Sequence, residues 1–141
     1  MPELIPAPVQ IPVPGGKIIE EYAGHVATGD DRVSIAHMVA PAGWTEPEQT
    51  PEFDEFTVVL EGSLTVDSEH GPTLVKAGQA IVARGGEWVR YHTDDGARYM
   101  SICVPAFMPD TVHRADEDHS VYDPESMKSE SRLSCKSKVA V

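Results

Sequence analysis

Six acidic or amide side chains, Glu46, Glu48, Gln49, Glu52, Asp54 and Glu55, crowd the segment GWTEPEQTPEFDEF just ahead of the apolar run FTVVL. For Glu46, Glu48, Glu52 and Asp54 a solvated acidic face is one reading; recruitment of a cationic ligand or a hard metal such as Mg²⁺ at the rim is the other. Arg84, in VARGG, offers a guanidinium to a carboxylate substrate or to one of these acids. Further along, alternation in VRYHT sets Val89, Tyr91 and Thr93 on one face of a strand and Arg90 and His92 on the other. A shift of one residue would exchange the two faces and make His92 a ligand or proton carrier. His37, in VSIAHMVA, is a third candidate donor, while His113 and His119 fall beyond the last apolar run. Only two cysteines occur, Cys103 in an apolar run and Cys135 in a polar one, with no CxxC spacing that would suggest zinc or redox chemistry.

The elements that must carry these groups are short. Residues 1–16 contain five prolines and end in Gly15-Gly16, which predicts an extended arm crossing the surface or pairing at a sheet edge. From Lys17 to Pro105 the chain reads as apolar or alternating runs, IIEEYA, HVAT, VSIAHMVA, FTVVL, LTV, TLVKA, AIVA, WVRYHT and ARYMSICV, cut by turn residues. Tight turns are expected at Glu61-Gly62 and Asp95-Gly96. Strands of this length and spacing predict an all-β sandwich or barrel, and no helical period interrupts them. Residues 106–141 are polar, with one helix start where Asp123 caps and Pro124 follows. The expected organisation is therefore an arm (1–16), a β-barrel (17–105) and a tail (106–141) packed on the barrel or on a partner subunit.

The 141 residues fit one domain with a sufficient core of its own. Acids outnumber bases 23 to 11, and the net charge of -12 would repel phosphate backbones and anionic headgroups, so neither nucleic acid nor membrane is an expected partner. The N-terminal segment MPELIPAPVQIPVP lacks a basic start and an unbroken apolar run, so a cytoplasmic location is expected.

Gly43, Gln49, Pro51, Glu55 and Gly62 stand at the positions of a first cupin motif, and Gly78, Arg84, Gly86, Val89 and Thr93 at those of a second. The frame from Val33 to Pro105 thus resembles a cupin. FDEFTVVLEGSLTV, VKAGQAIVARGG and VPAF resemble most the His-poor group typified by the ethanolamine-utilisation protein Q. The resemblance implies a double-stranded β-helix, a jelly-roll barrel that is usually dimeric, with a small-molecule site in its interior. It also implies which slots would hold a metal. Here they carry Gln49, Pro51, Glu55 and Val89 in place of three imidazoles and a carboxylate, so no tightly held first-row metal is expected. Asparagine and proline of the second motif are likewise replaced, by Thr93 and Arg84.

In that frame Glu55 points into a mostly apolar barrel, where desolvation favours its protonated form and suits it to acid or base catalysis. A second reading, equally open, ties Glu55 by hydrogen bonds to backbone or to Tyr91 and leaves it chemically idle. With Val89 inward, Tyr91 lines the barrel and His92 faces out. The resulting assignment takes Glu55 and Tyr91 as catalytic candidates, and Gln49, Trp44, Arg84 and Trp88 as ligand-binding candidates. The expected function is binding of a small organic molecule, with metal-independent acid/base chemistry. The alternatives are a non-catalytic accessory protein of a metabolic assembly, or a metalloenzyme that holds a divalent ion through Glu55 with His37 or His92. A homodimer is the expected assembly.

Overall fold

A computed structural model describes residues 1–115 of the chain, so the helix expected at Asp123 and most of the tail lie outside the described residues. The elements are β1 (Val9–Ile11), β2 (Ile18–Ala23), β3 (Ser34–Ala40), β4 (Asp54–Ser68), β5 (Gly71–Lys76), β6 (Ala80–Ala83), β7 (Val89–His92), β8 (Ala97–Val104) and a single helical turn, α1 (Pro109–Val112). Every strand pairing is antiparallel. One layer runs β1-β2-β3-β8 and then the first half of β4, with β6 on its far side. The second half of β4, from Ser63, leaves that layer and pairs with β5 and β7 in the other.

The passage between layers happens at a glycine. Register along β8 slips between Val59 and Glu61, and Gly62 takes φ 73°. A side chain there would bring its Cβ to 2.1 Å from the carbonyl oxygen of Gly96, so only glycine fits. The slip also changes which residues face inward: Thr57 and Val59 are buried before it, Leu64 and Val66 after it, so odd positions give way to even ones. The tight turn expected at Glu61-Gly62 is thus a bulge within one continuous strand of 15 residues. A second correction concerns HVAT, which forms no strand. Residues 24–30 instead close a turn in which Thr28 N and Asp30 N both donate to Gly24 O, at 3.1 and 3.2 Å.

Elsewhere alternation holds. In β8, Ala97, Tyr99, Ser101 and Cys103 face inward, and in β2 Ile19, Glu21 and Ala23 do so. Val59, Leu64, Val66, Val75, Val89 and Tyr91 meet between the layers as the main apolar core. A second cluster, Ile11, Ile19, Val26 and Ala36, joins the arm to the first layer, because β1 pairs with β2 through Val9, Gln10 and Ile11. A third, Phe53, Cys103 and Val112, brings α1 and the segment before it onto the open end. No helix among the described residues is long and apolar enough to cross a membrane.

Candidate functional site

The segment 44–53 adds an irregular edge beside β7. Gln49 N and Val89 O, and Val89 N and Gln49 O, pair at 2.9 Å in each direction, and Glu46 N donates to Tyr91 O at 3.2 Å. Along this irregular edge the side chains of Glu46 and Gln49 line the cavity while Thr45, Pro47 and Glu48 stay exposed. After β8 the chain returns across the same end: Glu52 N donates to Thr111 O and Ala115 N to Glu48 O, which sets Arg114 beside Gln49.

These elements line a cavity of about 40 Å³, enough for several waters or one small organic molecule at roughly 10–15 Å³ per water. Its apolar lining comes from residues such as Ile11, Ile19, Val26, Met38 and Phe53, and its polar lining from Lys17, Glu46, Gln49, Glu55, Tyr91 and Arg114, with Glu21, Ser101 and Cys103 nearby on the wall. Glu55, at the start of β4, accepts a hydrogen bond from Ser101 Oγ at 2.7 Å. Burial pushes its carboxyl above the ordinary range; the Ser101 bond opposes the rise, and the charge of Glu46 adds to it. Tyr91 is 3% exposed. Its hydroxyl is buried with no hydrogen-bond partner among the described residues, and desolvation followed by the charges of Glu55 and Glu46 lifts its pKa well above 10. Cys103 is raised by burial too, and its thiol is free.

Two buried cations complete the wall. Lys17, just ahead of β2, is 8% exposed, and its Nζ sits 4.0 Å from the centre of the Trp44 ring and 5.5 Å from that of Tyr99. Glu46 Oε2 lies 3.9 Å from the amine and 3.7 Å from Arg114 Nη2. Desolvation outweighs that attraction and lowers the amine from 10.5 to about 8. Arg114 Nε donates to Gln49 Oε1 at 2.9 Å. Glu21 faces the same space but is engaged by its own loop, where Val26 N and Ala27 N donate to Oε2 at 3.1 and 2.8 Å.

Of the residues singled out in the sequence, Glu55, Tyr91 and Gln49 come together on the cavity wall. The other three do not line it. Trp44 packs against the main core and under the Lys17 amine. Arg84 is exposed, pairs with Asp54 at 3.4 Å, and lies 5.5 Å from the Phe56 ring. Trp88 is half-buried on the turn before β7. His92 faces away, as alternation requires, and its Nε2 meets Asp67 Oδ2 at 3.1 Å. His37 Nδ1 meets Glu20 Oε1 at 2.9 Å on the outer face. Neither histidine reaches Glu55, so the metal site built from Glu55 with His37 or His92 is not formed. The acidic segment divides as well: Glu52 pairs with His113 and Asp54 with Arg84, whereas Glu46 is buried inside. Lys17 and Arg114 are functional candidates that pattern did not expose, and Glu46, read there only as one of a run of acids, proves to be an interior one.

A divalent ion does not fit the four slots that would hold it. Gln49 Oε1 is taken by Arg114 and Glu55 Oε2 by Ser101, Pro51 and Val89 have no donor, and Lys17 and Arg114 bring cations to the same wall. Among the described residues no group of three or more His, Cys, Asp and Glu side chains is arranged to hold an ion.

No protein-family model matches the chain. It is 43% identical over 117 residues to a Myxococcus xanthus protein named endoribonuclease YbeY, a match covering 77% of this chain and 40% of that protein, so the chain spans well under half of that relative's length. Among solved structures it is similar to a protein provisionally named ethanolamine utilization protein Q from Salmonella typhimurium LT2, with TM-score 0.58 and 22% identity over 67% of this chain and 73% of that one. It is also similar to an RmlC-like cupin from Shewanella frigidimarina NCIMB 400, with TM-score 0.62 and 12% identity over 70% and 85% of the two chains. At such identities the likeness speaks for architecture alone, and with the layered antiparallel strands, the bulged β4 and the enclosed interior it establishes that the chain folds as a cupin jelly roll, a double-stranded β-helix.

Proposed function

We propose that the barrel binds a small organic molecule bearing an oxygen function and handles it by acid/base chemistry that uses side chains in place of a metal. The observation that carries this reading is the Tyr91 hydroxyl, buried on the cavity wall without a partner among the described residues. An unpaired buried hydroxyl is disfavoured, and a ligand oxygen or amine supplies the missing bond. Glu55 is placed to exchange a proton with such a ligand, because burial keeps its carboxyl protonated above the usual range. The resemblance to the protein Q group belongs with this reading, as does an accessory role in which the same cavity binds without turnover.

The test is native mass spectrometry with elemental analysis on protein purified without added metal. Retention of a small organic molecule by the parent, and its loss from Tyr91→Phe, supports the reading. One equivalent of iron, nickel, manganese or zinc held by the parent would refute it.

Endoribonuclease activity is named for a protein of which this chain matches 40%. A cavity of about 40 Å³ in a chain of net charge -12 is unsuited to a polynucleotide, and we infer that the matched stretch acts beside such an activity as a small-molecule module.

A homodimer remains part of the proposal. Ile35, Ile102, Phe56 and Val82 pair in register across the outer face of β3, β8, β4 and β6. Phe56 and Val82 are 37% and 39% exposed, an apolar row that a second copy would cover. A monomeric mass by light scattering at micromolar concentration would remove it.

A further inference from the structure

Lys17 is a primary amine held inside a ligand-sized cavity, beyond hydrogen-bonding distance of its Glu46 neighbour, with a carboxyl and an unpaired phenol on the same wall. We propose that Lys17 forms an imine with a small aldehyde or ketone bound in the barrel. The inference rests on the interior being a ligand site, as argued above, and adds the covalent step and the class of substrate.

Each part of the reaction has a group to perform it. The amine must be neutral to attack, and burial lowers Lys17 to about 8, so an appreciable fraction lacks its proton near neutrality. Groups facing the amine act in both directions: Glu46 and Glu55 favour the ammonium, Arg114 opposes it, and the Trp44 and Tyr99 rings flank it. Loss of water from the surroundings outweighs them all. Glu46 Oε2, 3.9 Å away, is positioned to take the departing proton, directly or through a water. The nitrogen lone pair then attacks the carbonyl carbon, and the C=O pair moves to oxygen, which takes a proton from Glu55. The resulting carbinolamine loses its oxygen as water after one further proton transfer, leaving a C=N bond. Carbonyl and amine are consumed, one water is released, and no electron changes hands. Tyr91 is placed to donate a hydrogen bond to the same oxygen. Apolar neighbours, Ile11, Ile19, Val26, Met38 and Phe53, would accommodate a short hydrocarbon body and keep bulk water from hydrolysing the imine.

Butyraldehyde is the probe, with sodium cyanoborohydride to reduce any imine to a stable secondary amine, on the full chain at pH 7. Peptide mass spectrometry compares the butyl adduct on Lys17 with that on Lys76, an exposed lysine of the same molecule, so no variant need fold. At pH 7 an amine titrating near 8 is about 10% neutral and an ordinary lysine well below 0.1%. We expect Lys17 to label at least about tenfold faster than Lys76. Butanol, which lacks the carbonyl, should protect Lys17 and leave Lys76 unaffected, and Glu55→Gln should slow Lys17 labelling selectively. Labelling of Lys17 no faster than Lys76 would overturn the inference. In that case butanol shifts of the Tyr91 ring resonances separate the two ideas: if they occur, the ligand cavity stands without the imine, and if they do not, both fall.

Discussion

Substituting methionine for Lys17 tests the electrostatics of the cavity without any ligand. Methionine keeps most of the length of the side chain and removes the amine. In the folded protein the amine titrates at about 8, against 10.5 unperturbed. A depressed lysine binds its proton more weakly in the fold than in the unfolded chain. Below pH 8 both states are protonated and the fold carries the full burden of burying the ammonium, about 3 kcal/mol for a shift of this size. Between pH 8 and 10.5 the unfolded chain binds more protons than the fold, so this burden is lifted as pH rises. Relative to the parent, Lys17→Met should therefore be more stable by about 3 kcal/mol at pH 7, about 2 at pH 9 and about 1 at pH 10. Urea unfolding at these three values gives the difference directly. The difference matters because Cys103, Tyr91 and Tyr99 have raised pKa values of their own, and their contributions, lost at high pH, cancel between the two proteins. A difference that stays flat from pH 7 to 10 would refute the argument: Lys17 would then keep an ordinary pKa, with Glu46 compensating its burial in full.

Three further outcomes follow from the same geometry. Tyr91→Phe removes a buried, unpartnered hydroxyl, so the free protein should gain up to about 1 kcal/mol in chemical unfolding while losing roughly tenfold in ligand affinity; a loss of stability would mean that the hydroxyl is already bonded. Glu55 has a raised pKa, so its contribution to stability is complete below the unfolded value near 4.5 and is lost as pH climbs through the folded one. Glu55→Gln should match the parent at pH 4 and exceed it at pH 8, and equal stability at both would count against a buried ionising carboxyl. Gly62→Ala places a Cβ against Gly96 O at a positive φ and should destabilise by at least about 2 kcal/mol, measured by thermal melting, whereas a change below 0.5 would contradict the bulge geometry.

The alternating strands were legible because a sheet with one buried face writes its period into the sequence, as in ARYMSICV and VRYH, which is how Tyr91 could be assigned inward and His92 outward. Glu55 and Gln49 were legible from their places between glycines. Gly62 was legible as a special position, but turn and bulge share the same local requirement, a residue tolerating positive φ. Only the pairing of both halves of β4 with β8, β5 and β7 separates the two. Lys17 and Arg114 were not legible, and Glu46 was legible as an acid near the barrel but not as an interior one. Charged residues are normally exposed, and nothing local marks an exception. Each becomes interior through pairings distant in sequence: β1 on β2, segment 44–53 on β7, and the return of residues 111–115 across that segment. Trp44, Arg84 and Trp88 failed as wall residues for the matching reason, since proximity to a motif loop does not say which way a side chain turns.

Strand β4 also limits how the two layers can move apart. Because one strand carries hydrogen bonds for both layers, the layers cannot part like covers of a book without tearing β4 from β8, β6, β5 and β7 at once. The strip from Phe107 to Arg114 lies outside the strand ladders and is held by single backbone bonds, by the Phe53–Val112 and Phe53–Phe107 contacts, and by the side-chain pairs of Arg114 with Gln49 and Glu46 and of His113 with Glu52. It is also the strip that supplies the guanidinium to the interior. Local detachment of that strip would widen access to the cavity while both layers stay paired, so we expect substitutions there to change the residence time of an occupant. Dwell time and global stability would then be separable quantities in this barrel, one adjustable at residues 107–114 and the other at the junction of the layers.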